Sequence, residues 1–429
     1  MRNARGLWIF AVILLLIDTY IFQVLKYLSQ GLSPRAKFIV YAIYWLITVL
    51  SIIIALSLPS LYFNPKYKQL ITYAFSMVMG LFFFKLICCT FFIIDDVRRV
   101  ITWCVLKLGQ GSTTPTQGGV TRSAFISWLG VAVGGGIFSS LIYGFSNKYN
   151  YNTKTVKLQY PNLPSAFKGL RIVQLSDIHS GSFDDEAAVL KGVYKVLELK
   201  PDMILFTGDL VNNITTEMEA YKDIFAKLQA PLGIYSVLGN HDYGDYYTWE
   251  DRDEAHLLKE AAARKRLASP LQQKNIQDLI ALQQSMGWQV LMNEHVILER
   301  NNQKIAVIGI ENWSARGNFP KYGKLDIAYA GTQDVPFKIL LSHDPSHWNA
   351  QVTKQYTDID LTLSGHTHGM QFGIEIPGLR WSPIQYVYKQ WAGVYEYANQ
   401  KLYVNRGFGF LGYPGRVGIL PEITLIELT

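Results

Sequence analysis

The chain is 429 residues long, room for two or three domains, and carries a formal net charge of +7. Its apolar share is 49% and its charged share only 17%, well under the quarter typical of soluble domains, so membrane segments are expected. The surplus Lys and Arg form no basic cluster; they read as membrane-flanking charge, and a nucleic-acid partner is excluded from the expectations.

Four apolar stretches have spanning length, about 20 residues each: Leu7–Leu25, Phe38–Leu58, Ile71–Ile94 and Ala124–Phe145. No small-residue cleavage site follows the first, which argues against a cleaved signal peptide. Charges inside a membrane are costly and usually face a partner. Asp18 in the first span and Lys85 in the third are therefore expected to form a structural ion pair. Gly130 and Gly134 stand at small-xxx-small spacing, which predicts close helix packing. Lys26, Arg35, Lys37, Arg98, Arg99, Lys107 and Arg122 fall in the first and third loops, against Arg2, Arg5, Lys66 and Lys68 on the other side. Seven against four places the first group in the cytoplasm and everything after the fourth span outside it. The cysteines Cys88, Cys89 and Cys104 lie in or beside the third span. The rest of the chain can then hold neither a disulfide framework nor a cysteine zinc site.

All eight histidines lie beyond residue 178. The chain thus divides into residues 1–145, a bundle of four transmembrane helices; 146–169, a polar juxtamembrane strand or linker; and 170–429, a soluble domain. In that domain the β-type runs Arg171–Leu175, Met203–Phe206, Ile234–Leu238, Ile305–Ile310, Phe337–Leu341 and Leu361–Leu363 alternate with helical patterns, which predicts an α/β (α+β) layered fold. A charged segment at 247–285, including Lys259 to Arg266, reads as an insertion of one or two solvated helices.

Metal-type side chains follow five of these strands. After the first comes Asp177-Ile178-His179; residues i and i+2 of an extended backbone point the same way, so this pair is expected to grip one cation. Then come Gly208-Asp209, Gly239-Asn240-His241-Asp242, His343, and Gly365-His366-Thr367-His368. Singly, each has a plain reading: Asp177 as a helix N-cap, His343 as a core histidine, His366 and His368 as a surface pair. Together they sit where open α/β sheets place ligands, and supply imidazoles, carboxylates and an amide for two cations of the Mn, Fe or Zn type.

The order Asp-x-His, Gly-Asp, Gly-Asn-His-Asp, His, Gly-His-Thr-His resembles the calcineurin-like metallophosphoesterase superfamily, from Leu170 to the end of the chain. The blocks Ser176-Asp177-Ile178-His179-Ser180-Gly181 and Tyr403-Val404-Asn405-Arg406-Gly407 resemble its membrane-anchored branch. The resemblance implies a four-layer metallophosphoesterase sandwich and two divalent metal ions (Mn, Fe, Zn or Ni) bridged by Asp209. One would be held by Asp177, His179 and His368, the other by Asn240, His343 and His366. Such cations, about 3.5–4 Å apart, generate a hydroxide that attacks phosphorus. His241 would serve the leaving oxygen as proton donor or charge stabiliser, oriented by Asp242. Arg406 is expected either to bind the substrate phosphate through its planar fork or to be a structural arginine.

The function expected is hydrolysis of a phosphomonoester, phosphodiester or pyrophosphate bond, either in a lipid-linked substrate, the favoured reading, or in a small soluble ester. Membrane lipid is the expected partner. The location expected is a multi-pass protein of the plasma or inner membrane, its catalytic domain extracytoplasmic. The alternative is a non-catalytic metal-binding receptor or assembly factor on the same fold. Tyr246, Tyr247, Trp313, Trp381 and Trp391 are expected either to shape an apolar entrance or, by default, to pack in the core, and Asp184, Asp185, His256, His295 and His347 read as surface or local structural residues.

Overall fold

The four apolar stretches form the helices α1 (Arg2–Leu28), α2 (Pro34–Leu61), α3 (Pro65–Leu108) and α4 (Arg122–Gly144) of a computed structural model, which describes residues 2–61, 65–108, 122–252, 268–317, 319 and 321–429. Pro34 and Pro65 open α2 and α3, where the missing N–H of proline costs no helical hydrogen bond. Each helix holds a run long and apolar enough to cross a membrane. The chain divides into two compact units, Met1–Phe145 with Gly412–Pro414, and Ser146–Leu411 with Gly415–Thr429.

The helical unit is held by its buried charges. Lys85 Nζ of α3 lies 2.6 Å from Asp18 Oδ1 of α1, the pairing the sequence predicts. The hydroxyls of Tyr44 and Thr48, both from α2, donate to Asp18 Oδ1 and Oδ2 at 2.9 and 2.8 Å. One carboxylate therefore ties three helices. The small-residue spacing also acts as predicted: a Cβ on Gly130 would stand 2.9 Å from Phe91, and one on Gly134 would stand 2.9 Å from Phe84. The third span departs from expectation. Ile71–Ile94 is only part of a continuous helix of 44 residues, which at about 1.5 Å per residue is more than twice the roughly 30 Å thickness of a bilayer core. Its later turns carry i,i+3 pairs, Arg98 with Asp95 and Arg99 with Asp96, and around them the exposed apolar residues Val97, Val100, Ile101, Trp103 and Val105.

In the second unit, strands β2 (Arg171–Leu175), β3 (Met203–Phe206) and β4 (Ile234–Ser236) run parallel in one six-stranded sheet. That sheet has β1 (Asn152–Leu158), β14 (Glu422–Leu428) and β5 (Gln289–Val290) as its other members, in the order β1-β14-β2-β3-β4-β5. Of the two readings of residues 146–169, the strand holds: β1 is an edge strand paired parallel with β14. The second sheet has the order β12-β13-β9-β8-β7-β6, from β6 (Glu294–Arg300), β7 (Gln303–Gly309), β8 (Lys338–Leu341), β9 (Leu361–Ser364), β12 (Gly393–Tyr397) and β13 (Gln400–Val404). Here β7, β8 and β9 are the parallel set.

The parallel strands read as continuous apolar runs because both faces are covered. Ile172, Leu205 and Val237 of the first sheet pack with Val307, Ile339 and Leu363 of the second. Helix α5 (Glu186–Glu198) and the helix Pro270–Ser285 cover the outer face of the first sheet through Val189, Val193 and Leu279. Leu325, Ala328, Trp348 and Val352 cover that of the second. The result is the four-layer α/β sandwich. Asp185 caps α5, accepting from Ala188 N, while His295 Nδ1 donates to Ala328 O and His347 bridges Ser342 and Gln351, the local roles expected of them. Of the charged insertion, 253–267, with Lys259–Arg266 and His256, lies outside the described residues.

Lys85→Met leaves the Asp18 carboxylate buried without its cation, and breaking such a pair costs roughly 3–5 kcal/mol. The variant is expected to melt well below the parent in detergent, and Asp18→Leu with Lys85→Met to recover much of the loss. Equal melting of all three would remove the ion pair from the account of bundle stability.

Candidate active site

Where β2, β3, β4, β8 and β9 end, their chains turn sharply. Asp177, His179, Asp209, His366 and His368 have φ of 51, 50, 61, 71 and 49°, in the left-handed region that Asp and His tolerate better than most residues. The Asp177-Ile178-His179 segment is therefore not extended. The two side chains converge because each residue is turned, not because of strand alternation. Each such conformation costs of order 1–3 kcal/mol and persists where the surroundings hold it, typically at functional sites.

Glycine permits the close approach of these turns. A Cβ on Gly239 would lie 2.2 Å from Asp209 Oδ1, and one on Gly365 would lie 2.2 Å from Asp177 Oδ2. The Asp242 carboxylate fastens two of the loops together. Its Oδ2 accepts from the backbone N–H of Asp209 and Gly239, each at 2.8 Å, and its Oδ1 from Leu210 and Val211 at 2.8 and 3.2 Å. The sequence predicts that Asp242 orients His241; the structure gives that task to Asn212, whose carbonyl oxygen lies 2.8 Å from His241 Nδ1. A carbonyl only accepts, so Nδ1 carries the proton that makes this bond.

Two ligand-type groups emerge, Asp177 with His179 and His368, and Asp209 with His343 and His366, each with its donor atoms within 4.8 Å of one another. Asp209 stands between them: Oδ2 is 3.0 Å from His343 Nε2 and 3.6 Å from His179 Nε2. His368 Nε2 is 3.2 Å from Asp177 Oδ1. Asn240 Oδ1 joins the second group, 2.8 Å from His366 Nδ1. His343 Nδ1 donates to Thr207 O at 2.7 Å, which directs its other nitrogen at Asp209. The same support holds His366. Tyr388 donates to Asp344 Oδ2 at 3.3 Å and so accepts from His366 Nε2 at 2.9 Å, freeing Nδ1 on the Asn240 side.

The electrostatics suit a cation. Both ring nitrogens of the fully buried His179 have no hydrogen-bond partner, and such orphaned buried groups call for one; Nε2 of His343 and His368 faces only the carboxylates of Asp209 and Asp177. Burial would raise the Asp209 carboxyl, but the imidazoles of His343, His241 and His179 outweigh it and hold it well below the usual range. Burial drives His179 well down, so it stays neutral. At His343 burial acts downward, yet the Asp209 carboxylate lifts the imidazole to about 10; a divalent cation in this cluster would take the place of that proton.

The comparisons with known proteins agree with this geometry. Residues 2–148 match the family described as "Probable Calcineurin-like phosphoesterase, transmembrane domain", and residues 170–370 match "Calcineurin-like phosphoesterase". The metallophosphoesterase YkuE of Bacillus subtilis is 31% identical over 270 residues, 62% of this chain and 81% of that protein. The chain belongs to the calcineurin-like metallophosphoesterases. Its second unit is of the class that hydrolyses phosphoric esters, and the whole chain is an integral membrane protein. A "Transmembrane protein with metallophosphoesterase domain" of Danio rerio is 31% identical over 298 residues, 67% of this chain but only 60% of that protein. The "UDP-2,3-diacylglucosamine pyrophosphatase LpxG" of Chlamydia muridarum is 29% identical over 58% of this chain and 81% of its own length. The two His/Asp groups fit the binuclear divalent site of this family.

This metallophosphoesterase also holds site residues that sequence reasoning missed. Tyr388, Asp344, Asn212 and Arg416 stand outside every motif; only proximity shows them. Arg416 is fully buried and donates to the carbonyls of Arg406, His368 and Gly407, with His368 Nδ1 at 3.3 Å. Of the two readings of Tyr246, core packing fails: it is exposed, lies over the His241 ring with centroids 4.6 Å apart, and its hydroxyl accepts from Asn240 Nδ2 at 2.9 Å. Arg406 is buried, its fork bound to Glu422 and, at 2.8 Å, to Glu375. With both ends of the guanidinium on carboxylates, the geometry favours the structural alternative over phosphate binding.

Tyr388→Phe removes the acceptor for His366 Nε2, and losing such a support typically weakens metal binding 10–100-fold. The variant is expected to retain fewer Mn²⁺ ions per chain after dialysis while keeping its melting temperature. Full retention would deny Tyr388 that role.

Proposed function

We propose that this metallophosphoesterase hydrolyses a phosphoester or pyrophosphate bond of a lipid-linked substrate, with its active site outside the cytoplasm. The observation that carries the reading is the meeting of two buried ligand groups at Asp209, with the half-buried His241 imidazole beside them. In this reading Asp177, His179 and His368 hold one divalent cation, Asn240, His343 and His366 the other, and Asp209 both. When bound, the two ions lower the pKa of water and bind phosphate oxygens.

The protein's own groups do the rest. His241, its Nδ1–H committed to the Asn212 carbonyl, would as the doubly protonated imidazolium donate its Nε2 proton to the leaving oxygen, ending as the neutral Nδ1–H ring. Its ring is held edge-on to His179, centroids 4.9 Å apart, and against Tyr246. Asp242 keeps Asp209 and His241 in register through the backbone. Arg406 is left out of substrate binding. Support for a lipid-linked substrate comes from four membrane helices in the same chain and from a relative named as a pyrophosphatase of a diacylated nucleotide sugar. Support for the side comes from the excess of Lys and Arg in the first and third loops.

Full-length protein stripped with EDTA is expected to be inactive on bis(p-nitrophenyl) phosphate and to regain activity with Mn²⁺. Asp209→Ala should abolish that activity together with metal retention. His241→Ala should lower kcat by 10²–10⁴, the range of one general acid, at full metal content. A metal-loaded parent without activity would move the non-catalytic reading to the front.

The side of the membrane is tested with reporters fused after Thr429. Alkaline phosphatase should be active there and green fluorescent protein dark; the reverse pattern would place the site in the cytoplasm.

A further inference from the structure

Half of the large apolar side chains exposed on the second unit, among the described residues, fall in one short stretch. They are Met370, Ile374, Ile376, Leu379, Tyr386 and Val387, six of twelve. The stretch begins two residues after His368. It contains a two-stranded hairpin, β10 (Ile374–Ile376) and β11 (Leu379–Trp381), that belongs to neither large sheet.

The register of this hairpin sorts its side chains by face. Ile374 is opposite Trp381, and Ile376 opposite Leu379, with Glu375 opposite Arg380 between them. Directly opposed residues of an antiparallel pair, and residues two apart on one strand, share a face. Glu375 and Arg380 face the body of the domain: Glu375 binds Arg406 and Lys154, and Arg380 donates to the Ala392 carbonyl and lies over Trp391. The opposite face therefore presents Ile374, Ile376, Leu379 and Trp381 together. Tyr386, the most exposed at 77%, joins that face by accepting from Trp381 Nε1. Two residues on, Tyr388 carries His366.

We propose that this hairpin face is a membrane-docking surface. It seats at the headgroup–acyl boundary of the bilayer that the chain itself spans, and from there a lipid-linked phosphoester reaches the metal-binding cluster. Three observations favour a bilayer over a protein partner. Between the end of α4 at Gly144 and the start of β1 at Asn152 there are seven residues, at most roughly 25 Å of chain, so the domain is tethered at the membrane surface. The face is aliphatic at its tip and bordered by Trp381 and Tyr386, with Lys389 exposed nearby, the arrangement that suits a bilayer interface. Two three-residue strands are also too small to supply the ~800 Å² per partner of a stable protein interface.

Docking needs only the membrane anchor; delivery of substrate rests on the phosphoesterase reading. The test uses the full-length protein in phospholipid nanodiscs, with p-benzoylphenylalanine placed at Leu379, at Ile376, or at Ile327, an exposed apolar position outside the hairpin. Irradiation is expected to attach phospholipid at 379 and 376 at several times the yield at 327. Equal yields, or attachment to a second copy or another protein, would overturn the docking proposal whatever the enzyme does.

The second arm compares ethyl p-nitrophenyl phosphate in solution with hexadecyl p-nitrophenyl phosphate in the bilayer. The double variant Ile376→Asp, Leu379→Asp should keep the parent rate on the first and lose at least tenfold on the second. Equal rates on both would overturn delivery through this face. Failure of the parent on both esters would instead count against the phosphoesterase reading, leaving the crosslinks to decide docking.

Discussion

One buried carboxylate fastens the central loops of the site. Asp242 accepts four backbone N–H groups, from Gly239, Asp209, Leu210 and Val211, in a place without solvent. Left unbonded, each such donor would cost of order 1–3 kcal/mol, so the turn after β3 and the turn after β4 are stable only against one another. That mutual dependence sets Asp209 between the two ligand groups, and His241 beside them.

The rest of the site applies the same constraint to charge. Five residues hold left-handed backbone, and two carboxylates and four imidazoles crowd a buried edge. Neither is favourable alone. The imidazoles stabilise the carboxylates, backbone carbonyls and the Tyr388–Asp344 pair fix which nitrogen of His343 and His366 faces inward, and the orphaned nitrogens suit a cation. In the helical unit a single carboxylate, Asp18, is likewise made tolerable by a lysine and two hydroxyls. In both units, buried charge determines which elements must pack together.

Arg406 shows how a motif residue can serve the site indirectly. Its guanidinium spans Glu422 at the start of β14 and Glu375 in the β10–β11 hairpin. It thereby anchors one face of the hairpin and leaves the other face outward, where the apolar residues stand.

Much of the architecture was legible in the residues themselves. The strands Arg171–Leu175 and Met203–Phe206 have the observed bounds, because runs buried on both faces are uniformly apolar and end at turn residues. The spans were legible from length and hydropathy, and the Asp18–Lys85 pair from the scarcity of charge around it. The site residues were legible as a group, since each follows a strand. What tertiary structure alone decided were the partners. The polar stretch before Gly169 left strand and linker both open, because an edge strand paired with residues some 270 positions away shows locally only that it can extend, not what it pairs with. The third helix runs on past Ile94 because apolar residues, Val97 to Val105, resume around the charges of Asp95 to Arg99. Asn212, Tyr388, Asp344 and Arg416 carry no motif, and Asp242 carries one with a different use, because hydrogen-bond partners depend on where the chain returns. Local sequence determined which elements form and what chemistry stands at their ends; only the packed fold decided which of those ends meet.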